Sequence, residues 1–357
     1  MSYLLAALGF AALIILHEFG HFVAAKATGM RVERFSLFFG PMIVKLRRGE
    51  TEYGIGTIPL GGYVRITGMN PNEEIPPALA PRAYYNQPVW KRVVVILAGP
   101  VMNLLIAFVI VWLLFLSHGE AVTIKRVYAV ERATPAAMVL KPGDQIVSVD
   151  GLSGSPDAIR NEIDRHHCAA PQAPGCLAAV PAKLVVRRGN QLLTLHARPR
   201  YVAADHRMEL GFEFDQGQHP VGAGKAASLT VTGLWTVTKA TVSVVARIFE
   251  PQARKQLHGV VGGYTVAQES FAHSPSLALQ VLALISLSLG IINLFPFLPL
   301  DGGHVFWALA EKVRGRRIPF DVMERASVLG FALILIIFVI GLSNDISTLT
   351  GSGFNVR

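Results

Sequence analysis

Charge is in short supply along this chain. Of its 357 residues 16% are charged and 52% are hydrophobic, which excludes an ordinary soluble globular protein and fits a membrane protein with a soluble domain. Cysteine is nearly absent. Cys168 and Cys176 stand in C-A-A-P-Q-A-P-G-C, without the C-x₂-C spacing of a zinc ribbon, so a disulfide closing this short loop and a pair of unrelated thiols are the two readings. The net charge of +9 comes without any basic stretch interleaved with aromatics, which excludes a nucleic-acid partner. No Lys or Arg precedes Lys26, the first apolar run has no clear A-x-A cleavage site and its hydrophobicity continues past His21, so that run reads as a retained helix with its amino terminus outside, not a signal peptide.

What the chain has in quantity is long apolar runs. Tyr3 to Ala25, Val93 to Ser117, Leu277 to Leu300 and Ala326 to Leu342 each approach the length that crosses about 30 Å of hydrocarbon. The cations gather between the first two runs (Lys26, Arg31, Arg34, Lys45, Arg47, Arg48) and between the last two (Lys312, Arg314, Arg316, Arg317), which marks both loops as cytoplasmic by the positive-inside rule. A fifth candidate, Leu229 to Phe249, is interrupted by Thr230, Thr232, Thr236, Thr238, Lys239 and Thr241, and reads as an amphipathic helix on the outer surface. Gly259 to Tyr264 reads as a loop at the membrane face.

Between the runs the pattern changes period. Residues 31–68 hold short β-like stretches broken by Gly and Pro, among them Thr51-Glu52-Tyr53-Gly54-Ile55-Gly56, and read as cytoplasmic hairpins beside the membrane, with 70–88 a Pro-rich linker. Residues 121–200 order as strand, short helix, L-K-P-G-D turn, strand, helix from Pro156 to His166, and two closing strands at 183–187 and 191–197. That order and the stretch Leu140-Lys141-Pro142-Gly143-Asp144 to Val149-Asp150-Gly151 resemble a bacterial PDZ domain, a module that binds extended peptides by strand addition. Met138-Val139 departs from the small residue and Gly usual in that family.

The chemistry lies in His17-Glu18-Phe19-Gly20-His21, an H-E-x-x-H pattern inside the first apolar run. Four-residue spacing puts both imidazoles on one helix face, where they can hold one Zn²⁺, with Glu18 placed to take a proton from water. Ala24 and Ala27 occupy the positions where a metzincin needs Gly and a third His, so that class is excluded. A catalytic zinc wants a third protein ligand and one open position. Asp301, at the end of the third run, is the best candidate, an intramembrane carboxylate being expensive unless it binds something; the alternative is a kinked helix whose Asp is its solvated end. Asp301 lies at the depth of His21 only if 229–249 leaves the crossing parity unchanged. Asn103, in A-G-P-x-x-N of the second run, reads as a hydrogen-bonding link between helices, and Pro296 as a helix breaker whose freed backbone Asn293 can satisfy. His304 reads as a helix-face histidine.

H-E-F-G-H, the G-x-G hairpin, A-G-P-x-x-N, one PDZ-like region and N-x-x-P-x-x-x-x-D-G, in this order, resemble the site-2 protease family of intramembrane zinc metalloproteases, of the bacterial single-PDZ type. The resemblance implies one Zn²⁺ per chain held by His17, His21 and Asp301, with Glu18 as general base acting on zinc-activated water. It implies that Asn293 and the Gly54-Ile55-Gly56 hairpin bind substrate, and that Asn103 and Pro296 give structural support. The substrate implied is a single-span membrane protein such as an anti-sigma factor, already trimmed by another protease, with a peptide or substrate end at the PDZ domain. The fold expected is a polytopic α-helical membrane protein of about four transmembrane helices, with a membrane-associated β-hairpin region and one extracytoplasmic α+β PDZ domain. Its parts are a first core half at 1–117, the PDZ domain at 121–200, an extracytoplasmic helix and loop at 205–275, a second core half at 277–343 and an extracytoplasmic tail at 344–357. The location expected is the inner cell membrane, in contact with the lipid bilayer, with both termini outside and the hairpin region and the loop 303–325 cytoplasmic. A non-proteolytic peptide-binding scaffold and an ion transporter are the rival classes; the scaffold is opposed by the full set of ligands and base, and the transporter leaves H-E-x-x-H unexplained.

Overall fold

Two apolar helices laid side by side in opposite directions carry the rest of the first unit. They are α1 (Ser2–Ala27) and α2 (Val89–His118), and Lys91 at the start of α2 donates to the Thr28 carbonyl just past the end of α1, at 3.0 Å. The computed structural model describes residues 2–70, 73–169, 173–247, 250 and 260–351. The chain divides into two compact units, Met1–Phe115 with Ala223–Arg357, and Leu116–Gly222.

In the first unit β1 (Val32–Arg48) and β2 (Thr51–Ile66) form an antiparallel hairpin that is doubled over. Phe35 pairs with both Tyr53 and Val64, and Leu37 with both Ile55 and Gly62, while Val44 to Arg48 pair on the far side of Ile55 to Thr51. Four short segments therefore lie edge to edge, with 44–48 and 62–66 outermost. The last bend passes through Gly61 at φ 90°, a backbone conformation a side chain would strain. The hairpin base is fastened by a buried cluster of Ala25, Met30, Val32, Ile66, Tyr84, Val95 and Ile96, so it is docked on the adjoining ends of α1 and α2.

The segment expected at the outer surface behaves differently. It forms α4 (Ala223–Ala246), after α3 (Pro156–Asp164) of the second unit, and runs alongside α2. Trp112 Nε1 donates to the Ala223 carbonyl, and further along Leu234 and Val237 pack against the cluster of Ala107, Leu287 and Ile291. Its threonines did not mark a surface helix because their hydroxyls turn inward. Thr230, Thr236, Thr238 and Thr241 each donate to the carbonyl four residues back, at 2.7 to 3.0 Å. By length and composition α4, with a mean hydropathy of 1.3, is one of 5 candidate spans among the described residues.

The stretch read as a loop at 259–264 is helical from its second residue, in α5 (Val260–His273), Gly259 lying outside the described residues. Tyr264 stacks near Phe10 and donates to the Tyr3 carbonyl, and Gln268 donates to Ser2 Oγ, so α5 climbs back to the start of α1. Asp345 Oδ2 accepts from Gly262 N and caps its first turn. Next, α6 (Pro275–Asn293) sets out from the level at which α1 begins, with Leu282 beside Gly9. It is shorter than the 277–300 run, since Pro296 and Pro299 prevent regular helix over 294–300. The chain resumes as α7 (Asp301–Arg314) and α8 (Phe320–Thr350), the latter extending well beyond 326–342 at both ends. Residues 352–357 of the expected tail lie outside the described residues.

A buried ion pair ties α7 to the foot of α2. Arg92 meets Glu311 through two bonds of 3.0 and 2.9 Å, with its guanidinium near the rings of Tyr84 and Tyr85. Removing one partner of such a pair strands the other charge. Glu311→Ala is expected to destabilise the protein by about 3–5 kcal/mol, and Arg92→Leu with Glu311→Leu to recover most of the loss, by thermal unfolding in detergent.

In the second unit the sheet order is β6 (Gln191–Ala197), β5 (Ala182–Arg188), β4 (Gln145–Val149), β3 (Glu120–Val130) and β9 (Phe212–His219). α3, capped by Ser155, contributes Ile159 and Ile163 to a core with Val127, Ile146, Leu184, Val186 and Phe214. The unit outruns the expected limit of 200. A small ladder of β7 (Arg200–Val202) with β8 (Arg207–Glu209) leads into β9, which pairs along β3, as the alternation Phe212-Glu213-Phe214-Asp215 allows. Cys168 and Cys176 are joined by a disulfide, their Cα atoms 5.9 Å apart.

Asp144 is fully buried at the turn before β4. Burial pushes its carboxyl up, but Arg188, at 2.7 Å to each oxygen, and the Lys141 N–H outweigh this and hold it below the usual carboxylate range. A depressed folded value gives stability that is full above the unfolded value of about 3.9 and is lost as pH falls through the folded one. The protection of the β4 and β5 amides against exchange, relative to their intrinsic rates, is therefore expected to fall in the intact protein below about pH 4, and Asp144→Asn to flatten that dependence.

Candidate metal centre

The site is assembled from α1, α2 and α7. His17 and His21 lie one turn apart on the face of α1 that meets α2. Gly99 of α2 makes that approach possible, since a Cβ there would overlap the His21 ring. The His21 Nδ1–H donates to the Val95 carbonyl at 2.8 Å, a bond that leaves Nε2 without a backbone partner. Asn103, fully buried, sits 3.2 Å from His17 Nδ1. The Pro-broken stretch 294–300 then swings α7 in, so that Asp301, its first residue, faces both imidazoles.

Asp301 Oδ2 lies 3.3 Å from His17 Nε2 and 3.4 Å from His21 Nε2, and the two Nε2 atoms are 3.3 Å apart. Among the described residues these three form a group whose ligand atoms all lie within 4.8 Å of one another. Asp301 Oδ2 is buried and has no hydrogen-bond partner, an expensive condition for a carboxylate oxygen unless a cation meets it. Two imidazole nitrogens and one carboxylate oxygen are the donor set of a catalytic zinc site, and the residues fit that ion.

The three residues open onto a cavity of about 340 Å³ shared with Glu18, Asn293 and Pro299. Asn293 is thus beside the cluster, at the end of α6. Pro296 is not among the lining residues; it lies in the irregular stretch that delivers Asp301. Asn103 also lines the cavity.

The wall opposite the helices is a strand, and it is not the one expected. Gly54, Ile55 and Gly56 lie inside the doubled hairpin, Gly54 and Ile55 being flanked on both sides, Ile55 by Leu37 and Val44, and they do not line the cavity. A segment already paired on both edges cannot accept another strand. The lining is Gly61, Gly62, Tyr63 and Val64, with Gly62 packed against Glu18. The signal for these residues is Gly61-Gly62 followed by the period-two run Tyr63-Val64-Arg65-Ile66. Val95 carried no signal, because its part is played by a backbone carbonyl. His304 lies outside this cavity, near Tyr84, Arg92 and Glu311.

Comparison with known proteins finds zinc metalloproteases. A model described as peptidase family M50 matches residues 5–337. A Nostoc protein provisionally named a zinc metalloprotease is 30% identical over 345 residues, which cover 94% of this chain and 93% of that protein. The zinc metalloprotease Rip1 of Mycobacterium tuberculosis is 31% identical over 350 residues, 84% of this chain and 83% of its own. Asp301→Asn is expected to lower the zinc content of the purified protein several-fold, measured by elemental analysis. Zinc equal to that of the parent would remove Asp301 from the ligand set.

Proposed function

The chain belongs to peptidase family M50, the site-2 proteases, which are zinc metalloproteases acting within the membrane, and on that premise we propose that it is an endopeptidase that cuts the transmembrane segment of single-span membrane proteins. The observation that carries this reading is the meeting of His17, His21 and Asp301 beside Glu18, in a cavity walled by an open strand edge.

Zinc, when bound by His17, His21 and Asp301, makes water a nucleophile near neutral pH and polarises the scissile carbonyl. Glu18 takes the proton from the attacking water and returns it to the amide nitrogen as the C–N bond breaks. Its carboxylate, lying against the Gly62 and Val64 backbone, is held on the cavity side of α1. A helical substrate shields its peptide bonds with its own hydrogen bonds, so the segment must unwind before attack. An unwound backbone in hydrocarbon is costly unless its N–H and C=O groups find partners. The Gly61–Ile66 edge offers such partners by strand addition, in place of the Gly54–Gly56 pairing first expected. Asn293, on the facing wall, steadies the extended segment.

The second unit supports a peptide-reading role. We read it as a PDZ domain extended to β9, an edge strand of the sheet, where Arg160 of α3 lies 5.3 Å from the Phe214 ring. A substrate end, exposed by an earlier cut, is the ligand this edge suits. The orientation proposed is the hairpin and the 303–325 loop in the cytoplasm and the second unit outside the cell membrane, by the placement of Lys and Arg. An anti-sigma factor is the class of regulator such a cut would release.

Glu18→Gln keeps the size of the side chain and removes the base. It is expected to retain zinc and fold while losing cleavage of a model transmembrane substrate by at least about 100-fold, read by gel assay in detergent or liposomes. Cleavage at the parent rate would rule out Glu18 as the base.

A further inference from the structure

Both candidate ligand histidines turn Nδ1 towards α2, but they meet different groups there. His21 Nδ1 faces the Val95 carbonyl at 2.8 Å. A carbonyl only accepts, so the proton is on Nδ1 and the lone pair of Nε2 is free for the ligand triangle. His17 Nδ1 faces the side-chain amide of Asn103, with Nδ2 placed at 3.2 Å and Oδ1 buried without a hydrogen-bond partner. An amide can present either end, and the two ends are alike in shape. If the NH₂ end faces His17, Nδ1 must accept and the proton moves to Nε2. It would then point into the triangle, 3.3 Å from both His21 Nε2 and Asp301 Oδ2, and block metal ligation. If Oδ1 faces His17, the proton is held on Nδ1 and Nε2 is left bare.

We propose that Asn103 is a positioning residue for the metal centre. Its Oδ1 accepts the Nδ1–H of His17 and selects the neutral tautomer whose Nε2 faces the metal, as the Val95 carbonyl does for His21. The proposal rests on His17, His21 and Asp301 being the zinc ligands. The packing supports it independently. Asn103 is fully buried in the apolar middle of α2, where an amide is costly to keep. It is also wedged in place: Ser286 Oγ donates to its backbone carbonyl at 2.9 Å, and Gly290 of α6 leaves just enough room for its Cβ. Gly99 and Asn103 stand four residues apart on α2, as His21 and His17 do on α1. One register thus sets both histidines.

The test compares Asn103→Leu, Asn103→Asp and Ser286→Ala in the full-length protein, by zinc affinity in chelator competition and by the absorption spectrum of the cobalt form. Leu, which cannot accept, is expected to weaken zinc binding about 10- to 100-fold and to alter the cobalt spectrum. Asp, which can only accept, should stay within about threefold of the parent with the parent spectrum. Ser286→Ala, which loosens the packing without touching His17, should bind zinc like the parent. Leu equal to the parent, Asp as weak as Leu, or Ser286→Ala as weak as Leu would each overturn the proposal. Should Leu not fold, ¹⁵N-histidine spectra of the zinc-free parent decide: an N–H on His17 Nδ1 is expected, and an N–H on Nε2 overturns it. A parent that binds no zinc would instead bring down the ligand assignment on which the proposal stands.

Discussion

Everything in the first unit turns on the fit of two imidazoles against one stripe of α2. His21 is pressed into the space left by Gly99 and bonded to the Val95 carbonyl, and His17 meets Asn103 one turn further on. Sliding α1 by one residue along α2 would break both contacts and drive a side chain into the place of Gly99. The hairpin and α7 are then built onto this pair, at the same end. Tyr84, Val95, Ile66 and Ala25 share one buried cluster, and the Arg92–Glu311 pair holds α7 against α2 ten residues beyond Asp301. The carboxylate is thus placed from two directions, by the broken stretch before it and by an ionic tie after it.

The same arrangement reconciles two demands that usually conflict. A site for hydrolysis needs water and polar groups, while a membrane helix excludes both. Here the polar groups are concentrated on the inward faces of α1, α2 and the start of α7, where His17, His21, Asn103 and Asp301 meet one another. A strand edge leaves a row of backbone groups open along its length, and it forms the wall at which such groups are useful.

Much of this could be read in the residues themselves. H-E-x-x-H at four-residue spacing, the Asp at the end of an apolar run and the alternating strands of the second unit declare themselves through periodicity. Three features could not. The doubled hairpin hides its edge, because Gly54-Ile55-Gly56 and Gly61-Gly62-Tyr63 are equally strand-like until the long-range pairing decides which one is enclosed. The threonines of α4 look polar in a hydropathy count, yet the hydroxyls of Thr230, Thr236, Thr238 and Thr241 are consumed by their own helix. The outer limit of the second unit was missed because β9, which follows β8 almost at once, joins the sheet next to β3, the strand of that sheet furthest from it in the chain.

The α4 and α5 segments close the account of how Asp301 comes to face the histidines. One passes along α2 away from the Trp112 end, and the other comes back to the start of α1, so α6 departs from the level that α1 does. An excursion that ends where it began contributes no net displacement through the layer. The proposed ligands lie on α1 and α7, with α2 and α6 between them, and an insert of this closed kind leaves unchanged the direction in which the Asp-bearing helix is presented.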